Sequence, residues 1–184
     1  MTVLNTEQIK ITHNFIVSSE KRANADYDAD TFCLPLDANG LVKDDGDIVF
    51  YNNPYTSNKA IYHFGDCMSG CLECGSDSLG IDLSSVPGEY RVLLILSHLY
   101  QAPERGIAFS DGQSEVCIKR IGQPMQCDGD TILTHFLKPC LRLSDTIELC
   151  RFLRIGNKWE IVFPENTSVE VGFEEYLKSF GATI

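Results

Sequence analysis

The chain contains the stretch Thr146-Ile-Glu-Leu-Cys-Arg-Phe-Leu-Arg-Ile155-Gly156-Asn157-Lys158-Trp-Glu-Ile-Val-Phe163, in which two runs rich in apolar and β-branched residues flank a glycine and an asparagine. Glycine and asparagine tolerate the positive φ angles of a tight hairpin turn. In the second run, Trp159, Ile161 and Phe163 fall on one face, because side chains alternate along a strand. The stretch therefore predicts a β-hairpin with one buried face.

The same kind of segment recurs along the chain, with turn residues between the segments, and Asp37-Ala-Asn39-Gly40 predicts a second hairpin. Val92–Leu96 is apolar throughout, which favours a position inside a sheet with both faces covered. Only Phe173–Phe180 has helical spacing, with Gly181 placed to end the helix. The predicted strands are Ile9–Val17, Thr31–Leu36, Ile48–Asn52, Ala60–Phe64, Leu79–Leu83, Arg91–Leu99, Glu115–Ile121, Thr131–Leu137, Thr146–Ile155 and Lys158–Phe163. Together they predict an all-β chain, a two-sheet β-sandwich with a short C-terminal helix.

The composition is that of an ordinary globular protein, with 184 residues, 43% hydrophobic and 22% charged. No linker or shift in composition marks a boundary, so we expect a single domain over residues 1–184. No apolar run approaches the ~18 residues that a membrane span requires. The N-terminus has no basic segment followed by an apolar stretch, as a secretory signal would. These features predict a cytoplasmic protein without integral membrane insertion.

The formal net charge of −11 limits the partners of the chain. A polyanion would be repelled, and no cluster of lysine and arginine could neutralise phosphates, so nucleic-acid binding is not expected. A cation would instead relieve repulsion between neighbouring carboxylates, which costs roughly 4 kcal/mol for each pair ~4 Å apart at an effective dielectric of 20. We therefore expect metal to stabilise the fold.

Carboxylates are concentrated in three segments with irregular patterns: Asp26-Tyr-Asp28-Ala-Asp30, Asp44-Asp45-Gly-Asp47, and the loop from His63 to Asp77. Closely spaced acids separated by glycine suit a hard divalent cation that takes six to eight oxygen ligands. The pattern therefore favours Ca²⁺ as the first ligand to consider.

Three motifs in these segments resemble the TerD family of bacterial tellurite-resistance and stress-response proteins. They are Tyr27-Asp28-Ala29-Asp30-Thr31, Asp45-Gly-Asp47-Ile-Val-Phe-Tyr-Asn52-Asn53 and His63-x-Gly65-Asp66, in that order. The resemblance runs from about Ile11 to the C-terminus. It implies a two-sheet sandwich with calcium sites built from loops at one end. It also implies a non-enzymatic module that associates with partner proteins in a metal-dependent way.

The resemblance also implies a set of calcium ligands in this chain. Asn53 is a possible further oxygen donor. Asp45 and Asp47 are either ligands or residues that organise their own turn, and Asp82 is a weaker candidate ligand. Gly75 and Ser76 stand where the family has acids, which predicts weaker binding and one site where relatives have two. The preferred ligands are Asp28, Asp30, Asp66, Glu73 and Asp77.

The spacing of Cys67, Cys71 and Cys74 supports an alternative, a thiol-based zinc or redox protein with His63 as a fourth ligand. Radical-SAM enzymes use the same C-x3-C-x2-C spacing for an iron–sulfur cluster, but this chain lacks the alternating strands and helices of a barrel. In a cytoplasmic protein the eight cysteines are expected to be mostly reduced. Those within strand patterns are best explained as small apolar fillers, namely Cys33, Cys117 and Cys150.

The four histidines are scattered through the chain, and the sequence has no nucleophile elbow, H-E-x-x-H motif or phosphate-binding loop. We therefore predict that the protein is not an enzyme. A third alternative is a hydrolase that uses histidine and aspartate in the region Tyr100–Ser114.

Overall fold

The computed structural model describes residues 2–4, 7–23, 25–65, 77–121, 128–140 and 143–183, and its strands form two antiparallel sheets of five. The strands are β1 Thr2–Leu4, β2 Gln8–Val17, β3 Ala29–Leu36, β4 Ile61–His63, β5 Ser78–Asp82, β6 Val92–Leu99, β7 Gly112–Ile121, β8 Asp128–Phe136, β9 Thr146–Ile155 and β10 Lys158–Val162. The helices are α1 Ser19–Arg22, α2 Ala102–Arg105 and α3 Phe173–Ser179.

The first sheet has the order β1-β10-β9-β6-β3, and the second has the order β4-β5-β2-β7-β8. The all-β sandwich with a short C-terminal helix is confirmed.

Strand β6 lies inside the first sheet, between β3 and β9. Its Leu93 and Ile95 belong to the core between the two sheets, whereas Leu94 and Leu96 belong to a second apolar cluster. Leu177 of α3 joins that second cluster, so the helix covers the outer face of the sheet. An unbroken apolar run is what a strand buried on both faces requires. The predicted interior position of this segment is confirmed.

The hairpin β9–β10 forms as predicted, with Ile155 opposite Lys158 and Gly156 at φ 59°. The turn at Asp37–Gly40 is tight as well, with Gly40 at φ 77°, but a single bridge between Leu36 and Val42 follows it and no second strand. The predicted strand at Ile48–Asn52 is wrong in extent. The backbone groups of Phe50 and Asn53 bond each other at 3.1 Å in both directions, which closes a turn and leaves only isolated bridges.

One end of the sandwich holds the acidic segment Asp26–Asp30 together with Asp77. Strand β3 begins there and β6 ends there, since Ala29 lies opposite Leu99. Strand β9 also begins there, because Thr146 lies opposite His98. The two sheets are tied at this end by a hydrogen bond from the backbone N–H of Thr31 to Asp77. We call this the near end, and the opposite end of β3, at Leu36, the far end.

Across the described ranges, no helix combines the length and apolar character needed to span a membrane.

Candidate functional site

The predicted calcium ligands divide between described and undescribed parts of the chain. Asp28, Asp30 and Asp77 all lie at the near end. Asp66 and Glu73 lie outside the described residues, as do Gly75, Ser76 and the cysteines Cys67, Cys71 and Cys74. The structure therefore brings the first three to one end of the fold and leaves the complete ligand set a prediction.

Asp77 connects the two sheets. It directly precedes β5 of the second sheet, and its Oδ2 accepts a hydrogen bond of 3.2 Å from the backbone N–H of Thr31 on β3. Asp77 is 4% exposed, and Asp30, the residue before Thr31, is 6% exposed. Carboxylates are seldom buried this deeply unless they are paired, hydrogen-bonded or bound to a cation. The near end thus holds two buried acids, one on β3 and one just before β5.

His63 lies against the same carboxylate. Its Nδ1 accepts a hydrogen bond of 3.1 Å from the backbone N–H of Gly65, so the ring proton is on Nε2. Nε2 is 3.3 Å from Oδ2 of Asp77, a close electrostatic contact that falls short of a well-aligned hydrogen bond. Both ring nitrogens are therefore turned to groups at the base of the loop. Ligation of zinc by His63 would require one of these contacts to be replaced.

A second buried histidine lies deeper at this end. The Ser97 hydroxyl donates to the backbone carbonyl of Asp30 at 3.0 Å and accepts from Nδ1 of His13, 3.1 Å away. Burial lowers the pKa of His13 to about 3, although the charge of Asp77 raises it. His13 is therefore neutral at pH 7. This role is not visible in the sequence, since a histidine at an inward position of β2 looks like any other strand residue.

The acidic turn at Asp44–Asp47 lies at the far end and organises itself. Asp44 accepts from the backbone N–H of Gly46 at 2.8 Å, Asp45 accepts from that of Thr183 at 3.1 Å, and Asp47 is hydrogen-bonded to the hydroxyl of Tyr90. Tyr90 immediately precedes the Arg91 N–H that bonds to Leu36, which fixes the position of this turn. These carboxylates have donors from the protein itself.

Asn53 belongs to the same turn and not to the near end. Its amide nitrogen donates to the backbone carbonyls of Gly46 at 2.8 Å and Ile48 at 2.7 Å. Its side chain therefore acts as a brace for the turn. Asp82 lies at the other end of β5 from Asp77, where Ser84 and Gln8 donate to its carboxylate. Neither residue is gathered with Asp28, Asp30 and Asp77.

The near end also carries a cluster that sequence reasoning did not identify. The Thr146 hydroxyl donates to Asp145 at 2.9 Å and accepts from Nδ1 of His98 at 3.0 Å. The His98 ring stacks on Phe173, with centroids 4.2 Å apart and an interplanar angle of 14°. Burial lowers the pKa of His98, while Asp145 opposes this effect. The cluster holds α3 against the sheet with a neutral imidazole.

The region Tyr100–Ser114, the alternative hydrolytic site, contains α2 and a short turn before β7. Its Asp111 forms an ion pair of 2.7 Å with Lys21 and accepts from the backbone N–H of Ala108 at 2.8 Å. Through these bonds, the Asp111 carboxylate stabilises its own turn and holds α1 beside it. His98, the nearest histidine in the sequence, is engaged by Thr146.

The four described cysteines, Cys33, Cys117, Cys140 and Cys150, are free thiols. Burial raises the pKa of Cys33 and of Cys150, which are fully enclosed in the core as the strand pattern predicted. Cys117 differs, because it is only half-buried and its sulfur accepts from the hydroxyl of Thr134 at 3.9 Å.

Among the described residues, no group of three or more histidine, cysteine, aspartate or glutamate side chains is arranged to hold a metal ion. The carboxylates of the near end fit calcium in donor type, since they are oxygen anions on irregular backbone. They do not reach the ligand number of a calcium site by themselves. A calcium ion held here would need further oxygen donors, for which Asp66 and Glu73 are the predicted source.

The two five-stranded sheets and the net charge of −11 make this an acidic β-sandwich protein. The TerD domain family matches residues 3–180, nearly the whole chain. The chain therefore belongs to the TerD domain family, as the motifs around Asp30 and Asp66 predicted.

Individual relatives agree with this assignment. The chain is 33% identical over 84 residues to "Tellurium resistance protein TerD" of Alcaligenes sp., a match that covers 46% of this chain and 44% of that protein. It is 33% identical over 120 residues to "Chemical-damaging agent resistance protein B" of Clostridium acetobutylicum, which covers 65% of this chain and 84% of that protein. The solved structure of SAV2460, a protein of unknown function, has a TM-score of 0.71 at 11% identity, over 98% of this chain and 99% of that one. The last likeness shows the fold alone.

Proposed function

We propose that this protein is a calcium-binding module of the tellurium-resistance and chemical-stress type, which acts in the cytoplasm without catalysis and associates with partner proteins in a metal-dependent way. The observation that carries this proposal is the burial of two carboxylates at the near end, Asp30 and Asp77. A cation offsets the cost of burying such groups, which otherwise favours their protonation.

Calcium at this position would join the two layers. Asp28 and Asp30 stand at the start of β3, and Asp77 stands before β5, so one ion between them would connect a strand of each sheet. Asp66 and Glu73 would supply the remaining side-chain oxygens from the intervening loop. Such an ion stabilises the bound conformation by RT ln(1 + [L]/Kd), and a partner that recognises that conformation would then bind in a calcium-dependent way.

The comparisons support the physiological part of the proposal. One matched relative is named for tellurium resistance and another for resistance to chemical-damaging agents. The match to the first spans less than half of its length. Stress response is therefore proposed for this chain from family membership, and calcium binding is proposed from the acids at the near end.

Calorimetric titration of the purified protein with CaCl₂, after removal of metal with a chelator, tests the proposal. We expect saturable binding in the wild type and loss of at least tenfold in affinity in Asp30→Asn, because a neutral amide replaces an anionic ligand. Asp26→Asn is the matched control. It removes the same charge from the same segment, but Asp26 is 58% exposed in its side chain and contacts Arg105 at 3.7 Å.

Two outcomes would contradict the proposal. If the wild type does not bind calcium, the proposal is wrong. If Asp30→Asn and Asp26→Asn lose equal calcium affinity, only the overall negative charge of the segment attracts the ion. Elemental analysis of the same samples tests the alternative thiolate site. Stoichiometric zinc that disappears on Cys71→Ser would favour the thiol-based protein over the calcium module.

A further inference from the structure

Asn39 and Gly40 form the tip of the turn that follows β3. Asn39 is exposed, and it is the only asparagine of the chain that glycine follows. The backbone N–H of Gly40 donates to the carbonyl of Asp37 at 3.1 Å, and that of Asp37 donates to the carbonyl of Leu41 at 2.8 Å. These bonds close a tight loop over residues 37–41, which we call the Asp37 turn. It lies at the far end, away from the proposed calcium ligands.

An asparagine followed by glycine can lose ammonia by an intramolecular reaction. The backbone nitrogen of the glycine gives its proton to solvent and bonds to Cγ of the asparagine. The bond from Cγ to Nδ2 breaks, and the departing nitrogen takes up a proton and leaves as ammonia. The product is a succinimide ring, which water opens to aspartate or to isoaspartate. Glycine permits the attack because it has no Cβ and because its backbone adopts most conformations.

Asp37 engages both nitrogens that take part in this reaction. Its Oδ2 accepts a hydrogen bond from Nδ2 of Asn39 at 3.2 Å, and its carbonyl accepts the bond of 3.1 Å from Gly40. The departing nitrogen and the attacking nitrogen are therefore each held by an oxygen of the same residue. Attack by the Gly40 nitrogen requires its bond to break, because the nitrogen must lose the proton that it donates.

The same carboxylate fixes the backbone on both sides of Gly40. Its Oδ1 accepts from the backbone N–H of Asn39 at 2.8 Å and from that of Leu41 at 3.0 Å. The bond from Leu41 lowers the pKa of Asp37, and the bonds from Asn39 add to this effect, so the side chain is an anion at neutral pH. Hydrogen bonds to an ionised acceptor are stronger than those between neutral groups. Several such bonds must break before Asn39 and Gly40 reach the geometry of attack.

The residues on both sides of the Asp37 turn are anchored to the rest of the fold. Leu36 is buried, and its carbonyl accepts from the backbone N–H of Arg91 at 2.8 Å. The backbone N–H of Val42 donates to the carbonyl of Phe180 at 2.8 Å. Opening of the turn is therefore a local event that leaves its flanks in place.

We propose that Asn39 is a site of spontaneous deamidation and that Asp37 controls the rate of this reaction by keeping the turn closed. Asp37 is a positioning residue here, since it holds Asn39 and Gly40 and takes no part in the bonds that form and break. Water is the only other reactant, and ammonia is the only group lost. The inference is independent of calcium binding, because none of these residues belongs to the predicted ligand set.

Deamidation should also weaken the turn that controls it. Aspartate at position 39 has no Nδ2 to donate to Asp37, and it places a second negative charge beside that carboxylate. Isoaspartate in addition lengthens the main chain between Asp37 and Leu41, which disturbs their backbone bond. The modified chain should therefore unfold more easily than the unmodified chain.

The test incubates the full chain at mildly alkaline pH and follows deamidation by mass spectrometry of proteolytic peptides, which locates the modified asparagine. The wild type should react at Asn39 at least roughly tenfold more slowly in buffer than in concentrated guanidinium chloride, because the turn is rarely open in the folded protein. Asp37→Ala should react at least tenfold faster than the wild type in buffer, a factor that corresponds to about 1.4 kcal/mol. Asp37→Asn keeps an acceptor oxygen but not the charge, so its rate should lie between the two. In guanidinium chloride all three proteins should react at similar rates.

Asp44→Ala is the matched control for the loss of Asp37. Asp44 accepts from the backbone N–H of Gly46 at 2.8 Å, so the change removes the same kind of bond from a neighbouring turn. Its rate of deamidation at Asn39 should equal that of the wild type. Asn39→Asp reproduces the aspartyl product and should have a lower melting temperature than the wild type.

Three results would overturn the inference. A wild-type rate as high in buffer as in guanidinium chloride would show that the folded turn gives no protection. Equal rates in Asp37→Ala and the wild type would show that Asp37 does not control the reaction. Equal acceleration in Asp44→Ala would assign the effect to a general loosening of the far end. If Asp37→Ala does not fold, Asp37→Asn decides the matter, because its rate in buffer must still exceed that of the wild type.

Discussion

Acidic residues lie at both ends of β3, but the surroundings of their carboxylates differ. At the far end, Asp44, Asp45 and Asp47 receive donors from Gly46, Thr183 and Tyr90, and they build a turn. At the near end, Asp30 and Asp77 are buried, and Asp77 ties the two sheets through the backbone N–H of Thr31. The density of acids in a sequence therefore does not distinguish a cation site from a self-supporting turn. What differs between the two ends is burial, since Asp44 is exposed and Asp45 and Asp47 are half-buried, whereas Asp30 and Asp77 are buried.

The largest expected effect comes from Asp77→Ala, which breaks the tie between the sheets. The backbone N–H of Thr31 would lose its acceptor in a buried position, and His63 would lose its neighbour, so we expect a loss of about 3 kcal/mol in the free energy of unfolding. Urea unfolding without calcium measures it. Asp44→Ala at the far end, which removes an exposed cap from Gly46, should cost about 1 kcal/mol. Equal costs at both ends would erase the distinction between them.

Calcium should increase the difference in stability between variants of the two ends. At one hundred times the dissociation constant, the ion should stabilise the wild type by about 2.7 kcal/mol. Asp30→Asn should lose most of this increment, and Asp47→Asn should keep it, since Asp47 is bonded to Tyr90 at the far end. Thermal unfolding with CaCl₂ and with EDTA tests both variants. A calcium increment that depends on Asp47 and not on Asp30 would place the ion at the wrong end.

Acid should weaken the near end through His13. Because burial lowers the pKa of His13 from 6.5 to about 3 in the folded state, the unfolded chain binds one more proton between these values, and stability falls as the pH falls. The expected slope is about 1.4 kcal/mol per pH unit within that window, and it should be absent above pH 7. Urea unfolding from pH 7.5 to 5 measures it, with His13→Gln as the variant that lacks this contribution. An unchanged slope in His13→Gln would refute the assignment.

The smallest effect is expected at the far end. Lys43 and Glu89 are 3.1 Å apart, but their side chains are 47% and 52% exposed. Water screens such a pair, so Lys43→Ala should change the free energy of unfolding by about 0.5 kcal/mol or less. Differential scanning calorimetry at low and high salt would reveal a larger or strongly salt-dependent change, which would show that the far end relies on charge after all.

Local patterns predicted much of this fold. Gly156-Asn157 forms its hairpin because both residues accept the backbone conformation of the turn. Val92–Leu96 is covered on both faces, as an unbroken apolar run requires. The strand at Ile48–Asn52 failed because the bonds between Phe50 and Asn53 close a turn, which β-propensity does not reveal. Strand β1 was missed, since its three residues become a strand only by pairing with β10.

The near end was harder to predict than the strands. The acids Asp30 and Asp77 stood out by composition, but their burial depends on contacts between residues far apart in the chain, such as Thr31 with Asp77. Asn53 was expected to offer an oxygen, whereas its nitrogen serves carbonyls within seven residues of it. The cluster of His98 with Asp145 and Thr146 had no motif, because β6 and β9 are brought together only by the sheet.

The bond from Thr31 to Asp77 has one more consequence, for the colloidal behaviour of the protein. Strand β3 is the last strand of its sheet, and an edge strand with free amides can template the addition of a strand from another molecule. The carboxylate of Asp77 occupies the amide of Thr31 at that edge. Val49 occupies the backbone groups of Cys33 at the same edge, so Asp77 and Val49 together leave fewer free backbone groups there for a strand from another molecule.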